Sequence, residues 1–150
     1  MKKILLVSVL APACLSALVF AQTAPQTAAA PKTKAPEGAK VYIISPKNGD
    51  TVTSPFTVQF GLKGMGIAPA NVTSPNTGHH HLLIDVAQMP DLNVPLPQNN
   101  DSIRHFGAGQ TEVELKLPPG SHTLQLVLAD FQHIAFEKPV MSDKITITVK

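Results

Sequence analysis

From Val41 onward the chain alternates apolar and polar positions with a period of two. In PFTVQFGL, Phe56, Val58, Phe60 and Leu62 are separated by Thr57, Gln59 and Gly61, the signature of a half-buried strand. VYIISP is a short apolar run closed by Pro46, and KNGD after it carries the Asn-Gly chemistry of a tight turn. The stretch TEVELKLPPGSHTLQLVLAD reads as a hairpin. Val113, Leu115 and Leu117 point inward, Pro118-Pro119-Gly120 turns the chain, and His122, Leu124, Leu126 and Leu128 share the face of Asp130. Near the end, Ile145, Ile147 and Val149 alternate with Thr146, Thr148 and Lys150. No stretch after Val41 sustains a helical period.

The same alternation divides HHHLLIDV. His80, Leu82, Ile84 and Val86 fall on one face, and His79, His81, Leu83 and Asp85 on the other. Long Gly/Pro/Asn-rich connections, residues 63–78 and 87–102, flank this strand, and loops of that length are often functional. Short strands separated by Pro and Gly turns predict an all-β chain, an immunoglobulin-like antiparallel β-sandwich with two long loops.

The N-terminal part departs from this pattern. Lys2 and Lys3 precede an apolar run from Ile4 to Phe20, and Val19-Phe20-Ala21 offers a small-residue cleavage site. This predicts a secretory signal peptide over residues 1–21. The run is short and broken by Pro12, so a permanent transmembrane span fits less well. Pro12 and Ala11 also fit poorly before a lipoprotein cysteine at Cys14. Residues 22–40 are Ala, Pro, Thr and Lys with almost no large apolar side chain, a composition expected of a disordered tether. Residues 41–150 then form a single domain, and the localisation expected is periplasmic or secreted.

Export changes what the composition means. Cleavage after Ala21 removes Cys14, the sole cysteine, leaving neither a disulfide nor a thiolate ligand. Losing Lys2 and Lys3 brings the 12 basic residues level with the 10 acidic ones. A near-neutral mature chain lacks the electrostatic footprint of a nucleic-acid binder, and no transmembrane span is expected in it.

All six histidines lie after residue 78: His79, His80, His81, His105, His122 and His133. Neutral imidazole suits copper, zinc and nickel. In a strand, His79 and His81 stand about 6.6 Å apart on one face, close enough to form half of a metal site with bonds of about 2 Å. His105, His133 and Asp85 are the candidates to complete it. His80 and His122 share faces with leucines and read as core or supporting histidines. Met65 and Met89, one in each long connection, bring thioethers suited to Cu(I), without the spacing of a copper motif. No G-x-S-x-G elbow and no H-E-x-x-H helix occurs, and His81 and Asp85 stand about 13 Å apart along an extended strand, too far for a base and its orienting carboxylate. A catalytic role is therefore not expected.

Several stretches resemble a family of exported bacterial domains, domain of unknown function 4399. They are SPKNGDTVTSPFTVQFGLKGMGIAPA, NTGHHHLLID, HFGAGQTEVELKLPPGSHTLQLVLADFQHI and PVMSDKITITV. The resemblance implies an exported sandwich-like domain and no established activity. The family pattern carries histidines at the positions of His79, His80, His81, His105, His122 and His133, and a further one shortly after, where this chain has Phe136. Were that histidine a required ligand, binding near His133 would be weaker here.

Two functions follow. The first is a non-enzymatic exported sandwich whose His-rich outward face binds copper or zinc through His79, His81 and His105, with His133 or Asp85 completing the shell. The second is a module that binds an envelope protein or polymer, its histidines hydrogen-bonded to the long loops or responsive to pH.

Overall fold

A computed structural model describes residues 31–98 and 100–150, and the expected signal peptide lies outside them. Nine strands form in order: β1 (Lys40–Ser45), β2 (Thr51–Val52), β3 (Phe56–Lys63), β4 (Gly66–Ile67), β5 (Thr77–Ile84), β6 (Ile103–His105), β7 (Glu112–Leu115), β8 (Gly120–Ala129) and β9 (Ile145–Val149). Among the described residues no helix is long and apolar enough to cross a membrane. The strands make an immunoglobulin-like β-sandwich. One sheet has the order β1-β3-β7, and the other β2-β9-β8-β5-β4 with β6 also on β5. All pairings are antiparallel except those of the two-residue strands β2 and β4.

The alternation seen in the sequence sets the core. Phe56, Val58 and Phe60 of β3 meet Leu82 and Ile84 of β5 and Leu124, Leu126 and Leu128 of β8, with Phe136 and Ile147. Each such side chain contributes about 1.5–3 kcal/mol by leaving water. The expected Asn48-Gly49 turn forms, with Asp50 N–H donating to Lys47 O at 3.1 Å and Gly49 at a φ of 86° that suits glycine.

Two expectations need correction. The stretch around Pro118-Pro119-Gly120 is not a hairpin, because β7 pairs with β3 and β8 pairs with β5 and β9. The link carries the chain from one sheet to the other. Alternation is identical for a hairpin and for such a crossing, since it reports which face is buried and not which neighbour is paired. The tether expected over 22–40 also divides. Residues 22–30 lie outside the described part, whereas residues 31–39 lie against the domain. Thr33 O accepts the Glu137 N–H at 2.9 Å, Lys32 Nζ donates to Leu92 O at 2.9 Å, and Ala35 and Ala39 pack on the main core. Backbone and polar groups do most of this docking, so apolar composition did not announce it.

The larger sheet is covered on its second face too. Leu83, Val127 and Ala129 point away from the main core and join Leu96, Ile103 and Ala135 in a second apolar cluster, with Met89, Leu92 and Met141 at its margin. The connection after β5 and the segment after β8 form this cover. Strand β5 is therefore buried along both faces from Gly78 to Ile84.

Candidate metal centre

The three consecutive histidines separate by face. His80 points into the sandwich, where its ring lies 5.1 Å from that of Phe60 and its Nδ1 is 3.3 Å from Gln110 O. His79 and His81 point to the other face and have no exposed surface. The outward, solvent-facing pair expected from the sequence is thus interior. Periodicity distinguished the two faces of β5 correctly, but it carried no information about the loops that cover the second one.

Strand register brings in the next ligand. His81 pairs directly with His105 of β6, which places the two side chains together on one face. Their ring centroids are 5.1 Å apart, and that of His79 is 5.0 Å from His105. His105 needs its neighbour to be small: a Cβ built on Gly107 would stand 2.6 Å from His105 Nε2, so glycine leaves the space the imidazole fills.

The fourth ring comes from the turn after β8. His79 pairs with Ala129 at the end of that strand. Asp130 N–H then donates to Ile134 O, and His133 N–H to Asp130 O, each at 2.9 Å. This reversal returns the chain over the sheet, with His133 at a left-handed φ of 67°, a conformation costing a non-glycine residue about 1–2 kcal/mol. His133 O accepts the N–H of Leu96 from the covering loop. Its ring centroid lies 4.9 Å from that of His79, 4.8 Å from His105 and 6.2 Å from His81. Ring nitrogens of His79, His105 and His133 fall within 4.8 Å of one another. Nitrogens bound to one tetrahedral ion stand about 3.3 Å apart, given metal–nitrogen bonds of about 2.0–2.1 Å, so these three would have to draw closer to share an ion, and His81 lies outside that three-membered group.

The electrostatics favour neutral rings. Burial lowers the pKa of His79 to about 4, assisted by His105 and His133 and opposed by the carboxylate of Asp130. Burial, then His79 and His105, lower that of His81 to about 2. Burial also lowers His80, where the bond to Gln110 opposes it, and His105, where His133 adds to it. A neutral imidazole presents a lone pair to a metal. Both nitrogens of His79 and of His81, and Nε2 of His105 and of His133, are buried without a hydrogen-bond partner among the described residues. A buried polar atom left without any partner costs about 1–3 kcal/mol, and a cation bound by one nitrogen of each ring would supply a partner to four of these atoms. Of the four, only His105 is partly exposed, and it lines a cavity of about 460 Å³ with Arg104, Phe106 and Gln110.

Asp85 stands apart from this cluster. Strand β5 ends at Ile84, and Asp85 takes a φ of 54°, so the alternation that put it on the face of His81 stops one residue short. Its carboxylate instead accepts the Thr123 N–H at 2.7 Å and meets His122 Nδ1 at 2.6 Å. His122 Nε2 is 2.9 Å from Pro118 O, and the bond to Asp85 raises the pKa of this ring. Met65 and Met89 pack against the two apolar clusters. Phe136, where the family resemblance led us to look for another histidine, lies in the main core. Sequence reasoning missed Asp130 as part of the centre. Asp130 is 3 % exposed, and its Oδ1 accepts the N–H groups of Gln132 and Ile134. The signal was an Asp placed three residues before a histidine at a strand end, a common turn former.

A family model described as a domain of unknown function, DUF4399, matches residues 58–150, and the chain belongs to that family. No curated protein matches it. Among solved structures, the chain is similar to the endo-beta-1,4-mannanase from Thermotoga petrophila at 18% identity, over 75% of this chain and 20% of that one, with a TM-score of 0.44. It is also similar to the fibronectin(III)-like modules of Clostridium thermocellum CbhA at 14% identity, over 73% of this chain and 95% of that one, with a TM-score of 0.40.

Proposed function

We propose that this DUF4399 domain is an exported, non-enzymatic protein that binds one transition-metal ion, copper or zinc, through His79, His81, His105 and His133. One observation supports the reading: four imidazoles from three separate chain segments cluster with ring centroids 4.8–6.2 Å apart, each with at least one buried ring nitrogen that has no hydrogen-bond partner among the described residues. Four neutral nitrogen donors suit Zn(II) and Cu(II), and a full set of protein ligands is the pattern of a closed site rather than of a catalytic one with an open position. The signal-peptide character of residues 1–21 supports export. In its hydrogen-bonding form, the envelope-module reading needs histidines bonded to backbone or carboxylate, an arrangement found at His80 and His122 but, among the described residues, not at the four clustered rings.

The test is direct. Tag-free protein, stripped with a chelator, is titrated calorimetrically with Zn(II) and with Cu(II). One ion per chain with submicromolar affinity is expected. Binding no tighter than about 10 μM, or roughly −7 kcal/mol, for both metals rules the proposal out.

A further inference from the structure

The buried carboxylate of Asp130 has a third partner. Its Oδ2 accepts the hydroxyl of Thr33 at 2.7 Å, across 97 positions of sequence. Asp130 forms no ion pair among the described residues, and a buried carboxylate without a cation is costly even when hydrogen-bonded. The histidine cluster adjoins it through the backbone, since Asp130 directly follows Ala129, the strand partner of His79, and precedes His133 by three residues. Asp130 also shapes the turn that carries His133, through its own carbonyl and both N–H groups on Oδ1. A second contact of the same N-terminal segment leads to the same place. Lys32 Nζ donates to Leu92 O, in the loop whose Leu96 N–H holds His133 O.

From these contacts we propose that metal loading locks residues 32–35 onto the domain through Asp130, making the N-terminal segment a metal-dependent strap. The inference rests on the metal-binding reading above. With an ion bound, His133 is held at the end of the turn that the Asp130 carboxylate organises, and the same carboxylate holds the Thr33 hydroxyl. Without the ion that turn loses the restraint on His133, and the strap loses the firmness of its anchor. Coupling of this kind is reciprocal: if the ion tightens the strap, the strap tightens the ion by the same factor. The strap leads directly into the segment that joins the domain to the predicted export signal, so loading would be legible at the N-terminal side of the protein.

The amide of Glu137 reports docking, because it donates to Thr33 O. Hydrogen exchange of the tag-free protein is followed with and without Zn(II), in the wild type, Thr33→Val and Thr33→Ser, with zinc affinity measured on each by calorimetry. Zinc is expected to slow exchange at Glu137 and over residues 33–37. Thr33→Val is expected to abolish that zinc-dependent difference and to weaken zinc binding roughly tenfold, within the usual range of coupling between sites, while Thr33→Ser, which keeps the hydroxyl, restores both. A purely structural role for Thr33 would speed exchange equally with and without zinc. If zinc binds with wild-type affinity to Thr33→Val, or leaves the Glu137 amide unchanged, the strap is overturned and the metal centre stands. If calorimetry shows no binding to the wild type, both fall.

Discussion

Two histidine sites lie at opposite ends of β5, both largely buried, and their rings are driven in opposite directions. At one end His122 stands between the Asp85 carboxylate and the Pro118 carbonyl, with a raised pKa. At the other end, His79 and His81 stand among other imidazoles with lowered pKa values. Burial penalises the charged form at both ends, so burial alone does not decide the charge. The partners do. An imidazolium between two acceptors is complete as it stands. Imidazoles that face one another without such acceptors are not, and under the proposed reading a cation would complete them.

The largest expected effect breaks the cluster end alone. His79→Ala combined with His133→Ala should reduce metal affinity by more than about 100-fold, beyond the 10–100-fold typical of changes outside the ligand shell. Asp85→Asn should leave affinity unchanged, and calorimetry on both variants checks the contrast. Next comes Gly107→Ala, which would push the His105 ring aside and weaken binding by about tenfold while the stripped protein keeps its fold by circular dichroism. His133→Gly separates binding from folding. It relieves a left-handed backbone and removes an unpartnered ring, so the metal-free protein should hold or gain about 1 kcal/mol in urea unfolding while metal binding is lost.

The smallest effect is a pH dependence of opposite sign at the two ends. A histidine in the unfolded chain takes its proton near 6.5, whereas His79 in the fold resists protonation down to about 4. As pH falls from 6.5 toward 4 the unfolded chain binds protons that the metal-free fold does not, and stability falls across that window. His122 has a raised pKa, so its contribution is complete below 6.5 and is lost as pH climbs through the folded value. Asp85→Asn removes only that contribution. The variant should therefore lose more stability than the wild type between pH 7.5 and pH 5, by about 1 kcal/mol given the partial exposure of Asp85. Equal slopes in urea unfolding would contradict the assignment.

How far the sequence foretold this depends on what each signal encodes. Period two along HHHLLI separated His80 from His79 and His81, because side-chain alternation is a property of the strand itself. It could not show that residues 86–96 and 130–142 close over the outer face, since covering a face leaves no mark on the covered strand except an unusually apolar polar side, here Leu83. It also could not assign neighbours, so β7 and β8 looked like a hairpin when they belong to different sheets. Asp85 was placed one residue past the end of the alternation. His105 and His133 were singled out as residues at strand–loop transitions, but their convergence depends on the pairing of β6 with β5 and on the Asp130 turn, both long-range features. Thr33 sits in a segment that composition marks as a tether, and its docking rests on one hydroxyl and backbone groups rather than on apolar burial.

X-ray absorption spectroscopy of the metal-loaded protein tests the central claim most directly, because it counts donors and identifies imidazole by its outer-ring scattering. The account predicts a first shell of four nitrogen donors at about 2.0–2.1 Å for zinc, all imidazole and without sulfur. A shell dominated by oxygen, or one unchanged in the His79→Ala, His133→Ala double variant, would contradict it.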